Sequence, residues 1–243
     1  MKLSDFKVLA FDCYGTLIDW ETGLLAALHG WRRRMALAAG DEDLLAAFAT
    51  AESTVQAESP AMRYPDVLAE VLRRLGTRFG KPATEAEAKA FGASIGDWPA
   101  FPDSAAALQH LKRHYKLVIL SNVDRASFGK SSTRLGVTFD AVYTAEDIGS
   151  YKPDRRNFEY LIQNIRLAFG FDKARILHVA QSLFHDHVPA KAQGLATCWI
   201  DRRSGRAGSG ATAPVETEVA TDFRFQSLGM LADVHRAFIG RPR

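Results

Sequence analysis

Phe11-Asp12-Cys13-Tyr14-Gly15-Thr16-Leu17-Ile18-Asp19-Trp20 is the stretch that decides how this 243-residue chain reads. The apolar run at 8–11 suits a strand buried on both faces, and it delivers a carboxylate, Asp12, into a turn at Gly15. In open α/β sheets ligands bind beyond the carboxyl ends of such strands, so Asp12 is expected at a sheet mouth. Glycine lets the backbone bend sharply there and leaves amide N–H groups free to face an anionic ligand. For an Asp after a strand, taken alone, an Asp-turn or a helix cap is the commoner outcome.

Further strand ends downstream carry polar residues of matching chemistry. The run at 116–120 ends in Ser121 and Asn122, a hydroxyl and an amide able to hold a carboxylate or a developing anion, or equally to cap a following helix. Lys152 stands before Pro153 and so belongs to a loop, where a lysine is usually a solvated surface charge; beside a carboxylate such as Asp12, its ammonium would keep that group ionised and lower its pKa. The run at 176–180 leads into Gln181-Ser182-Leu183-Phe184-His185-Asp186-His187. His185 and His187 bracket Asp186, but no third ligand has suitable spacing, so a base or hydrogen-bonding role for His185 is expected in place of a metal site.

Between the first two strand ends the pattern changes to helical spacing: Leu24, Leu25 and Leu28, then Leu44, Leu45 and Phe48, then Val67, Leu68, Val71, Leu72 and Leu75. Gly40, Pro60, Pro65 and residues 76–82 divide it into four helices. Five buried strands alternating with helices predict an α/β fold, a doubly wound Rossmann-like parallel sheet, with a core at 1–20 and 97–243 and a helical insert at 21–96. Residues 202–214, rich in Gly, Ser and Arg, read as a flexible loop, and a short strand at 223–226 precedes a final helix.

Hydrophobic residues make up 47% and charged residues 24%, the balance of an ordinary globular chain. A net charge of +3 is too small to argue for nucleic acid, and Arg32, Arg33 and Arg34 read as a solvated helix face. No run is long enough for a membrane span and no signal-like apolar segment opens the chain, so a cytoplasmic location is expected. Cys13 and Cys198 lie in apolar runs and are expected to be buried free thiols. The expected partner is a small molecule, with no nucleic acid and no membrane; a homodimer stays open.

The pattern hydrophobic-Asp-X-X-Gly-Thr-Leu resembles the first motif of the haloacid dehalogenase superfamily. Ser121 with Asn122, Lys152-Pro153, and Ser182, Asp186, Ala190 and Gly194 resemble its later motifs. The resemblance implies an Rossmannoid core with a helical cap, and Asp12 as a nucleophile that forms an ester. Lys152 and Asp186 would position it, with Asp186 or His185 assisting water. Thr16, Ser121 and Asn122 would hold carboxylates, and Tyr14, Glu58 and Ser182 would meet the substrate.

Tyr14 replaces the phosphatases' general-acid Asp, and Gln181 replaces their magnesium-binding Asp, so metal binding is expected to be weak and no cofactor is implied. The chain looks most like the 2-haloacid dehalogenase-like group that includes azetidine-2-carboxylate hydrolase. Its implied substrate is a small carboxylic acid, attacked at carbon with loss of halide or ring nitrogen. In the cap, residues 52–64 offer Glu58 in place of the dehalogenases' arginine, which would suit an ammonium-bearing substrate. A magnesium-dependent phosphatase and a non-catalytic binding protein of the same fold are the alternatives.

Overall fold

The computed structural model describes residues 1–215 and 218–239. Six parallel strands form one sheet: β1 (Val8–Phe11), β2 (Lys116–Ser121), β3 (Ala141–Thr144), β4 (Ile176–Ala180), β5 (Ala196–Ile200) and β6 (Phe223–Phe225). Their order is β3-β2-β1-β4-β5-β6, so the chain builds outward from β1 first on one side and then on the other. The short strand expected near the chain's end joins as the sixth, beside β5.

Phe11 of β1 lies level with Ile119 of β2 and Val179 of β4, and the crevice where the strand order reverses opens directly beyond Phe11. Side chains alternate across the sheet, so Leu9 and Phe11 enter one apolar cluster, while Val8 and Ala10 enter another with Phe158, Leu161 and Ile165.

Residues between β1 and the next core helix form α1 (Trp20–Arg34), α2 (Asp41–Glu58), α3 (Tyr64–Arg78) and α4 (Glu85–Ala93). Three of the four starts have a local cause. Asp19 caps α1 by accepting from the Thr22 amide, Thr84 and Glu87 form a capping box on α4, and Pro65 sits in the first turn of α3. Val67, Leu68, Val71, Leu72 and Leu75 make the buried stripe of α3. The cluster that holds Leu9 and Phe11 runs without a break into Trp20, Phe48, Phe91 and Trp98, so the helical insert shares the core of the sheet's cleft-side face.

The remaining helices are α5 (Ser104–Lys112), α6 (Arg125–Ser132), α7 (Ala145–Ile148), α8 (Arg155–Phe169), α9 (Val188–Ala192) and α10 (Leu228–Ile239), with a π-helical turn over Leu183–His187. The segment 202–214 is not the free loop its composition suggests. Arg203 donates to both Glu21 and Glu42 of the insert, the Ala211 amide donates to Glu21, and Ala211 and Thr212 are buried. Specific ion pairs, which composition does not register, tie this glycine-rich stretch down. Cys13 and Cys198 are buried and unpaired. Among the described residues no helix is long and apolar enough to cross a membrane.

Candidate active site

Asp12 sits one residue beyond β1, its amide donating to Val179 O of the neighbouring strand (3.1 Å). One carboxylate oxygen accepts from Thr16 Oγ1 (2.7 Å) and the other from Lys152 Nζ (2.9 Å). Gly15, at φ +90°, supplies the turn between them; a Cβ there would lie 3.0 Å from the Trp20 indole nitrogen and 3.3 Å from Gln181 Oε1. Arg202 fastens the far side of the turn by donating twice to Thr16 O (2.9 and 3.2 Å), while it pairs with Asp103 and stacks on Phe101.

Lys152 is fully buried, and its nitrogen donates to Asp12 Oδ1, to Asp186 Oδ1 (2.7 Å) and to Leu120 O (3.0 Å). Those three bonds use all three protons of an ammonium, so this lysine is a fixed cation with no lone pair to offer. Burial works to lower its pKa, but the two carboxylates outweigh it and the net direction is up. Asn122 secures the lysine from behind: its amide donates to Lys152 O (2.9 Å) and accepts from Lys152 N (2.7 Å). Both ends of that side chain are therefore occupied, and Asn122 orients the lysine's backbone where the sequence suggested a carboxylate holder.

Asp186 projects from the π-helical turn and accepts from Lys152 and from His178 Nε2 (2.8 Å) on the same oxygen. Burial pushes Asp186 up, yet the Lys152 charge and the His178 bond hold it below the ordinary carboxylate range. Asp12 goes the other way. Desolvation raises it, against the pull of Lys152 and helped by the Asp186 charge nearby, so the expected lowering of its pKa is reversed by burial. His178 does not stand out in the sequence: it is one polar residue inside the buried run of β4, and only its pairing with Asp186 reveals a role.

The groove beyond Asp12 is a cavity of about 40 Å³ walled by Tyr14, Trp20, Glu52, Gln56, Tyr64, Ser121, Gln181, His185 and Thr212, among others. Tyr14 bonds Ser131 (3.0 Å) and meets Trp98 edge-on. Ser121 Oγ is buried without a protein partner, as is His185 Nε2. The other ring nitrogen of His185 meets Ser182 Oγ (3.2 Å), and burial holds the ring at about 4, hence neutral at ordinary pH.

Glu58 is not in this cavity. It is exposed and paired with Arg74 (2.6 Å). The acid that does line the cavity is Glu52, about one and two-thirds α-helical turns earlier. It is 3% exposed, accepts from Tyr64 OH (2.6 Å), and is pushed up to about 7 by burial. Its position in the polar part of α2, among Ser53 and Thr54, conceals it in the sequence.

A magnesium ion takes oxygen ligands in octahedral array. Both Asp12 oxygens are engaged by Thr16 and Lys152, Asp186 Oδ1 by Lys152 and His178, and Gln181 Oε1 accepts from Thr212 Oγ1 (3.1 Å). A neutral amide already bonded to a threonine does not supply the missing charge, and the residues present do not fit the ion.

A model of the haloacid dehalogenase-like hydrolase family matches residues 6–181, and the chain belongs to that family of hydrolases. It is 28% identical over 211 residues to the (S)-2-haloacid dehalogenase of Pseudomonas sp. strain YL, covering 81% of this chain and 83% of that one. Over a shorter span of 102 residues, 41% of this chain and 44% of the other, it is 28% identical to the pyrimidine 5'-nucleotidase YjjG of Escherichia coli. The L-2-haloacid dehalogenase of Xanthobacter autotrophicus superposes with a TM-score of 0.75 at 21% identity, over 95% of this chain and 98% of that structure, a likeness of fold.

Proposed function

We propose that this hydrolase acts at carbon without a metal: Asp12 displaces a leaving group from a small carboxylic acid, and water then hydrolyses the aspartyl ester at the Asp12 carbonyl. The observation that carries this reading is the single ammonium of Lys152 bonded to both Asp12 and Asp186, with Thr16 on the other Asp12 oxygen. It holds the nucleophile in one orientation and offsets negative charge in the cleft without a divalent ion. Ser121 Oγ, buried and unpartnered, receives the substrate carboxylate; the amides of Gly15, Thr16 and Leu17 are not free for it, since they donate to Ile18 O and Cys13 O. The neutral His185 Nε2 receives a proton from, or orients, the attacking water.

Glu52 narrows the substrate. An acid in the cavity disfavours a 2-haloacid, whose only charge is its carboxylate, and favours a molecule that also bears an ammonium beside the Trp20, Tyr14 and Tyr64 rings. A strained cyclic amino acid of the azetidine-2-carboxylate type meets both demands. Asp12 forms the new C–O bond as the ring C–N bond breaks; the ring nitrogen leaves as an amine and takes the proton released when water cleaves the ester.

The test is a parallel screen of 2-haloacids, azetidine-2-carboxylate and phosphoesters, with and without chelator. Chelator-resistant turnover of a compound from the first two classes supports the proposal. Chelator-sensitive phosphoester turnover supports the phosphatase alternative, and no turnover with no ester on Asp12 supports the binding protein.

A further inference from the structure

Three histidines unrelated to the cleft meet at the opposite end of the sheet. His110 closes the last turn of α5, His114 lies in the turn that leads into β2, and His235 projects from α10. One nitrogen of each lies within 4.8 Å of the others. The rings touch pairwise, with centroids 5.2 Å (His110 and His114), 5.1 Å (His110 and His235) and 4.9 Å (His114 and His235) apart. β2 separates this cluster from Ser121 by five residue steps, roughly 16 Å of extended chain.

From this geometry we propose a binding site for a borderline divalent transition ion of the nickel, cobalt or zinc kind, with His110, His114 and His235 as ligands and water completing the shell. His110 Nε2 and His235 Nδ1 stand 2.9 Å apart. With metal–imidazole bonds of about 2.0–2.1 Å, that separation subtends about 90° at the ion. This is the cis angle of an octahedral centre, so nickel or cobalt enters with the two nitrogens where they stand; tetrahedral zinc requires them to open by a few tenths of an ångström.

His110 and His235 are 4% and 3% exposed, so two of the three ligands are held in place by the surrounding packing. His114 is exposed and leaves a solvent path to the ion. The groups facing the cluster are Arg113, Arg236, Asp233 and the Tyr115 ring. Arg113 approaches His110 Nδ1 at 3.5 Å, which favours a proton on Nε2; the ion must displace that proton to Nδ1 and the guanidinium must swing aside. Asp233 and the carbonyl end of α5 offset part of the positive field. Bound there, the ion ties the C-terminal helix to the base of the sheet.

The probes are nickel and cobalt chlorides added to the full chain without a histidine tag. Calorimetry is expected to show one ion per chain, cobalt absorption to show nitrogen ligation, and the melting temperature to rise with ion concentration. Asp12→Asn should bind equally, placing the site outside the cleft. His114→Ala, at an exposed position that folding does not need, should weaken binding roughly tenfold or more and remove the thermal shift while leaving hydrolase activity intact. His235→Gln, its fold checked by circular dichroism, should do the same. Absence of stoichiometric binding by the wild-type chain, or equal affinity in wild type and His114→Ala, would overturn the proposal.

Discussion

Lys152 is the residue on which the cleft's electrostatics turn, since it is the cation shared by two buried carboxylates. Lys152→Met should abolish turnover and cost about 3–5 kcal/mol, because it strands two like charges away from water; denaturant unfolding at neutral pH checks the second figure. Glu52 gives a sharper test, since it is pushed up to about 7 from the ordinary 4.5. A raised carboxyl contributes stability that is complete below its unfolded pKa and lost as pH rises through about 7. Glu52→Gln should therefore leave stability unchanged near pH 4 and raise it by about 3 kcal/mol above pH 8. The same ionisation favours a cationic substrate, so KM for azetidine-2-carboxylate should fall between pH 6 and 8 in the wild type and stay flat in Glu52→Gln. Asp12 was legible because it ends an apolar run, Lys152 because it stands before Pro153 in a motif, and Asp186 because it lies four residues after Ser182 at motif spacing. Glu52 was not, because helix phase decides which acid of α2 turns inward. Glu52 and Gln56 are one i,i+4 pair and share the cavity face; Glu58 lies about 120° further round.

At the level of elements, the helical insert meets the sheet through close packing and through one tethered loop. Gly23 of α1 lies against Trp98, and a Cβ there would come within 2.3 Å of the indole. Gly23→Ala should destabilise the protein by about 1–3 kcal/mol through overpacking, read as a lower denaturant midpoint. Arg203 joins the 202–214 segment to α1 and α2, and Thr212 from that segment bonds Gln181 in the cavity wall. Arg203→Ala should open the segment to tryptic cleavage at Arg206 and raise KM more than it lowers kcat, because a wall of the cavity is released while the nucleophile stays in place. Helices and strands were readable from periodicity. The anchored loop was not, since its glycine-rich composition hides partners about 160–190 positions away in sequence.

Across the whole molecule, a parallel sheet brings the ends of β1, β2 and β4 together, so residues as distant as Asp12, Ser121, Lys152 and Asp186 form one site. That convergence follows from topology and was within reach of the sequence; the bond directions that set Asn122 behind Lys152 and His178 behind Asp186 needed coordinates. With Gln181 engaged by Thr212, chelator should leave activity unchanged and added magnesium should not raise it. Asp12→Asn should be inactive yet folded, as an amide of the same size is a poor nucleophile. The most direct measurement of an aspartyl-ester route is a single turnover in heavy-oxygen water with enzyme in excess, followed by mass analysis of product and of the peptide that contains Asp12. Unlabelled product with heavy oxygen in Asp12 is the predicted result; heavy oxygen in the product with none in Asp12 would mean that water attacks the substrate directly, and would contradict it.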